Sequence, residues 1–392
     1  MSNKETDNKR YSKIKKIDIR TFTMLAVLII LWVFFTALTS KGFSDLSTSF
    51  LSFRNLSNLF RQMAIVGIMG STMVLIIVTQ GIDLSAGMVV GFIGCVAAAC
   101  QVYYGIGTAM TIVIAIILGV IVYAIQGALI AYAGIAPFIV TLGGQLVFNG
   151  LILAVTKGAT IAPLKESLVY FGQAYVSKTV SLILGLVVVA VLLLNELQRR
   201  ASKRKNDALT ESSTAMIIRW VLMSAVVMIA ILVMNSYRGM PIPVLILFVV
   251  VFIVTLIAEK TTFGRKIYAI GGNLDAAKYA GINVRKNLMM VYMLHGVTIA
   301  IAGLIYAARL NAGSASVANA GLELDAIAAA VIGGTSMSGG VGKVAGAILG
   351  ALIMASIDNG MSMMNLDAYW QFIVKGLILV AAVWFDSRTN KK

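Results

Sequence analysis

The sequence predicts an all-α, polytopic membrane protein with about ten to twelve transmembrane or re-entrant segments. Of its 392 residues, 59% are hydrophobic and only 12% are charged, against about 25% charged in an ordinary soluble domain. The mean hydropathy is +0.92. So few charges would not cover a soluble fold of this size, whereas a lipid-facing surface needs none. The apolar residues also gather into runs of near-spanning length, and the basic residues into a few blocks between them.

The net charge of +16 does not point to nucleic acid, because the basic side chains do not line an aromatic-interleaved face. One histidine and two cysteines leave no metal-ligand cluster and no nucleophilic triad. Cys95 and Cys100 fall about 140° apart on one helix, so they read as small buried hydrophobes and not as a disulfide.

Residues 1–21 form a basic segment, with Lys4, Lys9, Arg10, Lys13, Lys15, Lys16 and Arg20, ahead of the apolar run Met24 to Leu38. No small-x-small cleavage site follows Leu38, so the expectation is an uncleaved first span with a cytoplasmic amino terminus. Apolar stretches at 63–80, 86–104, 108–133, 136–156 and 179–195 complete a first transmembrane half over 22–195. Six spans return the chain to the cytoplasm. There the positive-inside rule places the polar linker 196–219, with Arg199, Arg200, Lys203, Arg204, Lys205 and Arg219.

The second half, 220–385, opens with spans at 217–235 and 243–258, joined by an outer turn from Ser236 to Pro243 whose prolines and glycine break the helix. A cytoplasmic loop, 259–287, follows with Lys260, Arg265, Lys266, Lys278, Arg285 and Lys286, and the tail 386–392 adds Arg388, Lys391 and Lys392. Most of the 32 Lys and Arg therefore mark one side of the membrane.

The last hundred residues are less regular. As helix, Ala326 to Gly334 is about 14 Å long and Val344 to Ile357 about 21 Å, both short of a core of about 30 Å. Between them lies the glycine-rich Thr335 to Lys343. Two arrangements fit: a broken or re-entrant helix whose amides are satisfied by protein or a wet cavity, or a short loop between tilted spans.

Within 259–287, Asn273 is a good N-cap, Asp275 sits in the first turn, and Gly281 is placed to end the helix in a left-handed conformation. These residues predict a helix of about seven residues from Leu274 to Ala280, marginal in water and needing something to pack against. Ala276, Ala277 and Ala280 allow close approach, and Lys278 is among the cations that hold the segment near the membrane surface. A docking helix for a partner and an interfacial helix without one both fit these residues.

This loop, the segment Gly81 to Gly87, and the segment Glu323 to Ser336 followed by Gly339 to Gly342 together resemble the permease subunits of bacterial ABC-type importers of the ribose, galactose and xylose group. The resemblance covers roughly residues 50 to 385. Its length, the polar insert at 196–219 and the ending Ser356 to Met364 before Tyr369 to Gln371 are most similar to the xylose permeases, with the multiple-monosaccharide permeases next. One departure is Gln80, where the family's commoner form has glycine before Gly81.

The resemblance implies a chain that binds no cofactor and receives a monosaccharide from an extracytoplasmic binding protein. It implies a partner ABC ATPase that uses ATP and magnesium, and a second permease copy around one pathway. The coupling element would be Asn273, Leu274, Asp275, Ala276, Ala277, Lys278, Ala280 and Gly281. No Gly-x-x-x-x-Gly-Lys-[Ser/Thr] occurs here, since Met337 precedes and Val344 follows Gly342-Lys343. Gly340, Gly342 and Gly346 read as close helix packing and not as a dinucleotide fingerprint.

Ionisable groups in apolar runs are costly, so Asp83 with Ser85, Glu323, Asp325, Asp358 and Asn359 are the candidates for a polar sugar path, through convergent hydrogen bonds. Capping of helix N-termini is the alternative for Asp83 and Asp325. Tyr369 and Trp370 are either stacking platforms or interface anchors. His295 reads as a packing residue, Met361, Met363 and Met364 as gap fillers, and Lys343 and Lys375 as snorkelling side chains. The competing function is an ion-coupled secondary transporter of a small polar solute, with Asp83, Glu323 or Asp325 as coupling acid.

Overall fold

The computed structural model describes residues 19–40, 48–205, 213–316 and 320–389. The basic residues before 19, the linker centre 206–212 and the last three residues lie outside it. Among the described residues the chain is helical, with isolated bridges only at Ile161–Gly313 and Tyr175–Pro241. Among the described residues, eight helices are long and apolar enough to cross a membrane. The chain is a multi-pass membrane protein.

Helix α1 (Ile19–Thr39) leads to α2 (Phe53–Val78), the central helix, most of whose apolar residues are buried. It begins ten residues before the expected span. Leu56, Leu59 and Phe60 in that extension are buried, so packing carries a helix through Arg54, Asn55, Asn58 and Arg61. After a break at 79–85 come α3 (Ala86–Val102), α4 (Thr108–Ala131) and α5 (Pro137–Thr156), near the expected stretches. Cys95 and Cys100 are free and buried on α3, as their spacing suggested.

An unforeseen short helix, α6 (Glu166–Gln173), precedes α7 (Lys178–Lys205) and α8 (Ser213–Asn235). Within the polar linker 196–219, the described residues 196–205 and 213–219 are helical. Glu, Leu, Gln, Arg and Lys are good helix formers, so α7 continues past its apolar stretch. Helix α9 (Ile242–Lys260) is followed by α10 (Thr262–Gly272), again unforeseen, and α11 (Leu274–Tyr279). Helix α10 is amphipathic, started by the Thr261 side chain accepting from Gly264 N (3.1 Å) and seated by buried Ile267 and Ile270.

Helix α12 (Val284–Leu310) packs most extensively on α4. Gly119 and Gly296 meet at that crossing, where a Cβ on either would collide with the other's carbonyl oxygen. Small residues of this kind let helix backbones approach closely in a membrane. The chain ends with α13 (Leu322–Ile332), α14 (Val344–Met363) and α15 (Ala368–Thr389). Helix α14 is 20 residues, longer than expected and sufficient to span, whereas α13 is 11 residues, buried throughout Leu322 to Val331 except at Leu324.

The break at 79–85 and the loop at 333–343 meet each other and the α10–α11 corner at one end of the bundle. Gly340 N donates to Val78 O (2.9 Å), and Gln80 reaches both segments. Helix α13 is therefore a half-length helix walled by α2, α14 and α15, which agrees with the broken-helix arrangement. Helices α5, α7 and α15 expose most of their apolar surface, with 17%, 12% and 6% of their windows buried. Such surfaces suit lipid or another apolar partner.

Candidate functional site

Buried polar groups gather at two places inside the bundle. The first is built by the α2–α3 break. Asp83, fully buried, accepts from Ser85 N (2.8 Å) and Ser85 Oγ (2.7 Å) through Oδ1, and from Tyr123 Oη (2.5 Å) through Oδ2. His295 Nε2 lies 3.1 Å from the same Oδ2. That carboxylate fixes the tautomer: Nε2 donates to it, and Nδ1 faces the Thr72 hydroxyl at 2.7 Å. Thr72 Oγ1 in turn sits 2.5 Å from Thr298 Oγ1, and Ser85 is held by Gln126 Nε2 at 3.0 Å.

This network joins α2, α3, α4 and α12 through groups that cannot find water. His295 is thus a hydrogen-bonded hub and not only a packing residue. Asp83 holds the turn that leads into α3 by accepting from Ser85, whose own side chain makes no cap bond to the helix, and has both oxygens engaged within the chain.

The second place is a charge cluster. Lys375 on α15 places Nζ 2.8 Å from Asp325 Oδ2 on α13 and 3.0 Å from Asp358 Oδ2 on α14, and donates to Ala320 O at 3.2 Å. The lysine is buried, so it pairs inside and does not snorkel. Asp325 Oδ1 and Asp358 Oδ1 are buried without a hydrogen-bond partner among the described residues. Asp358 keeps 24% of its side chain exposed, against 1% for Asp325. Glu323 points elsewhere: its carboxylate lies against Gly87 in the first turn of α3, filling the space a Cβ would need.

The two interrupted segments, Asp83 to Gly87 and Glu323 to Asp325, are thereby in contact. Asn359 is withdrawn from the cluster, accepting from Asn55 Nδ2 at 2.7 Å. Tyr369 and Trp370 form a tilted pair on the exposed face of α15, the placement of interface anchors.

The corner formed by α10 and α11 carries the third group of expected residues. Asn273 Oδ1 accepts from Ala276 N (2.9 Å), and Gly281 adopts φ +75° after Ala280, as the cap and stop signals required. Helix α11 ends at Tyr279, one residue earlier than expected. Ala277 is buried against its own chain, so it does not belong to a face open to partners. The open face is Leu274, Asp275, Ala276, Lys278 and Tyr279, with Tyr279 93% exposed and Lys278 Nζ 3.2 Å from Asp275.

Helix α10 is bound to the rest by Tyr268, whose hydroxyl donates to Gly342 O at 2.8 Å. Burial and, second, nearby Glu259 push that phenol up to about 12, so it remains a donor at neutral pH. At the same corner Asp386 accepts from Met337 N (3.0 Å), tying the end of α15 to the 333–343 loop.

At the opposite end of the bundle lies a group that the sequence reading passed over. Arg61 sits over the Tyr175 ring (4.6 Å), Arg238 lies over Tyr237 (5.4 Å) and Tyr175 (6.0 Å), and Arg309 is a near neighbour of Arg61. Arg61 Nε is buried without a partner. The signal was faint because these arginines come from three stretches far apart in the sequence.

Comparison with known proteins accords with this architecture. Residues 55–383 match the family described as the branched-chain amino acid transport system / permease component. The chain is 43% identical over 382 residues to the xylose transport system permease protein XylH of Escherichia coli K12, covering 97% of this chain and 95% of that one. It is 42% identical over 384 residues to XylH of Haemophilus influenzae, covering 97% and 99%. To the ribose import permease protein RbsC of Bacillus subtilis it is 31% identical over 349 residues, covering 88% and 89%. No solved structure matches. With its multi-pass helical bundle and a match spanning nearly the whole chain, this protein belongs to that family of transport-system permease components.

Proposed function

We propose that this chain is the membrane subunit of an ATP-driven importer that carries D-xylose from an extracytoplasmic binding protein into the cytoplasm of a bacterium. The observation that supports this most is the similarity to two xylose permeases, at 43% and 42% over 97% of the chain, against 31% to a ribose permease. The chain hydrolyses nothing itself. A separate ATPase uses ATP and magnesium, and a second permease copy completes the pathway.

In this reading the α10–α11 end, the basic termini and the ends of α7 and α8 face the cytoplasm. The open face of α11 seats in the ATPase, and the acids at 83, 323, 325 and 358 border the sugar's route. Proteoliposomes holding permease, ATPase and binding protein are expected to take up radiolabelled D-xylose in preference to D-ribose, only with ATP inside the ATPase's compartment. Uptake that survives ATP depletion but stops with an ionophore would reject the importer in favour of ion-coupled transport.

Two substitutions probe the two ends. Ala276→Asp places a charge on the open face of α11 without touching buried Ala277. It is expected to leave membrane insertion intact and reduce xylose uptake at least roughly tenfold, the effect of desolvating an unpaired carboxylate in an interface. Unchanged uptake would reject docking at this face. At the other end, the unopposed Arg61, Arg238 and Arg309 suit acidic side chains on the binding protein. Arg238→Glu is expected to slow docking of the binding protein and to shrink its sensitivity to salt, measured by surface binding at low and high ionic strength.

A further inference from the structure

We infer that Gln80 is a positioning residue for transport, a clasp through which the α10–α11 corner moves the two interrupted segments, residues 79–85 and 333–343. The inference rests on reading α11 as the helix that seats in the ATPase.

Helix α2 stops at Val78, and the chain turns back so that Gln80 N donates to Ile77 O (2.8 Å) and Gly81 N to Ile76 O (3.0 Å). That turn puts Gln80 at φ +64°, a left-handed conformation suited to glycine. The turn itself needs no side chain, yet one is present and its amide is used. Nε2 lies 3.1 Å from Gly271 O and 3.1 Å from Ser338 O, so one amide group donates to two segments 191 and 258 residues away in sequence. Gly271 O belongs to the last turn of α10, where carbonyls have no helical partner. Ser338 O lies in the loop that follows α13.

Around the clasp the three backbones are in direct contact. Gly340 N donates to Val78 O, a Cβ on Gly271 would meet Gly340 N at 2.7 Å, and a Cβ on Gly339 would meet Gln80 Cγ at 2.5 Å. Little side-chain slack lies between them to absorb a displacement of α11. What moves with the corner is informative. Residues 79–85 lead in five residues' reach to Asp83 and Ser85, and the 333–343 loop continues from α13, whose first turn holds Glu323 and Asp325. The clasp thus links the expected ATPase contact to both polar segments inside the bundle.

The test is the ratio of D-xylose imported to ATP hydrolysed, in proteoliposomes containing the complete complex, for Gln80→Gly and Gln80→Glu. Glycine relieves the left-handed backbone and removes the amide, so folding is preserved. Glutamate keeps the length and loses the donors. In both, the ratio is expected to fall roughly three- to tenfold, the factor that one or two hydrogen bonds carry, while the complex still copurifies. A purely structural role would lower uptake and ATP hydrolysis together and leave the ratio unchanged. A wild-type ratio in both variants overturns the clasp.

Crosslinking through Asp275→Cys separates this from the docking reading. A crosslink to the ATPase with an unchanged ratio rejects the clasp alone. Absence of any crosslink, with the complex intact, rejects docking through α11 and the clasp with it.

Discussion

Replacing Lys375 with methionine is expected to abolish uptake and to destabilise the permease by roughly 3–5 kcal/mol, the usual cost of stranding a buried charge. The ammonium is the shared partner of Asp325 (2.8 Å) and Asp358 (3.0 Å), which come from different helices and pair with no other cation among the described residues. Without it, the buried Asp325 carboxylate and the partly exposed Asp358 carboxylate face one another unneutralised, and α13, α14 and α15 are pushed apart. Adding Asp325→Asn and Asp358→Asn to the Lys375→Met chain removes the stranded charge and is expected to recover most of the stability.

Melting of the detergent-solubilised proteins checks both statements. A Lys375→Met protein that melts like wild type would show that the cluster carries no such energy. Xylose uptake by the stable triple variant then asks a different question. Activity would make the charges scaffolding, and inactivity in a folded protein would place them on the sugar's route.

Asp83→Ala is expected to cost about as much, roughly 3–5 kcal/mol, because Ser85 N, Ser85 Oγ, Tyr123 Oη and His295 Nε2 all lose their acceptor in a dry site. Asp83→Asn is milder, roughly 1–3 kcal/mol. Its carbonyl oxygen still serves Ser85, while its amide nitrogen requires Tyr123 and His295 to accept where they donated. The imidazole meets that demand by moving its proton to Nδ1, facing Thr72. The asparagine variant is therefore expected to fold and the alanine variant to be recovered poorly, as judged by monodisperse yield from membranes. Equal recovery would mean that the carboxylate's hydrogen bonds do not hold α2, α3, α4 and α12 together. Uptake by the asparagine variant separates capping, which an amide supplies, from a need for charge.

Much of the architecture was readable from local pattern. The boundaries at Thr108, Pro137 and Leu274, the Asn273 cap and the left-handed stop at Gly281 all follow from residues within a turn or two of the feature they specify. The misreadings share a cause. The early start of α2 and the existence of α10 depend on Leu56, Leu59, Ile267 and Ile270 finding a buried surface, which the polar residues between them conceal. Ala277 reads as part of a partner-facing stripe because alanine is equally suited to either face of a helix. Only the position of α11 on the bundle turns it inward.

The apolar runs and the basic blocks by themselves determined that this is a multi-pass helical membrane protein, because a bilayer forces each span to satisfy its own backbone and so leaves a contiguous record in the chain. The tertiary structure alone decided which polar side chains meet which partners. Asp83 finds His295 across 212 residues, Lys375 finds Asp325 across 50, and Gln80 reaches Ser338 across 258. Backbone hydrogen bonds in a helix are local and repeat with a period, but the partner of a buried side chain is set by how helices pack, and no window of sequence contains both halves of the pair.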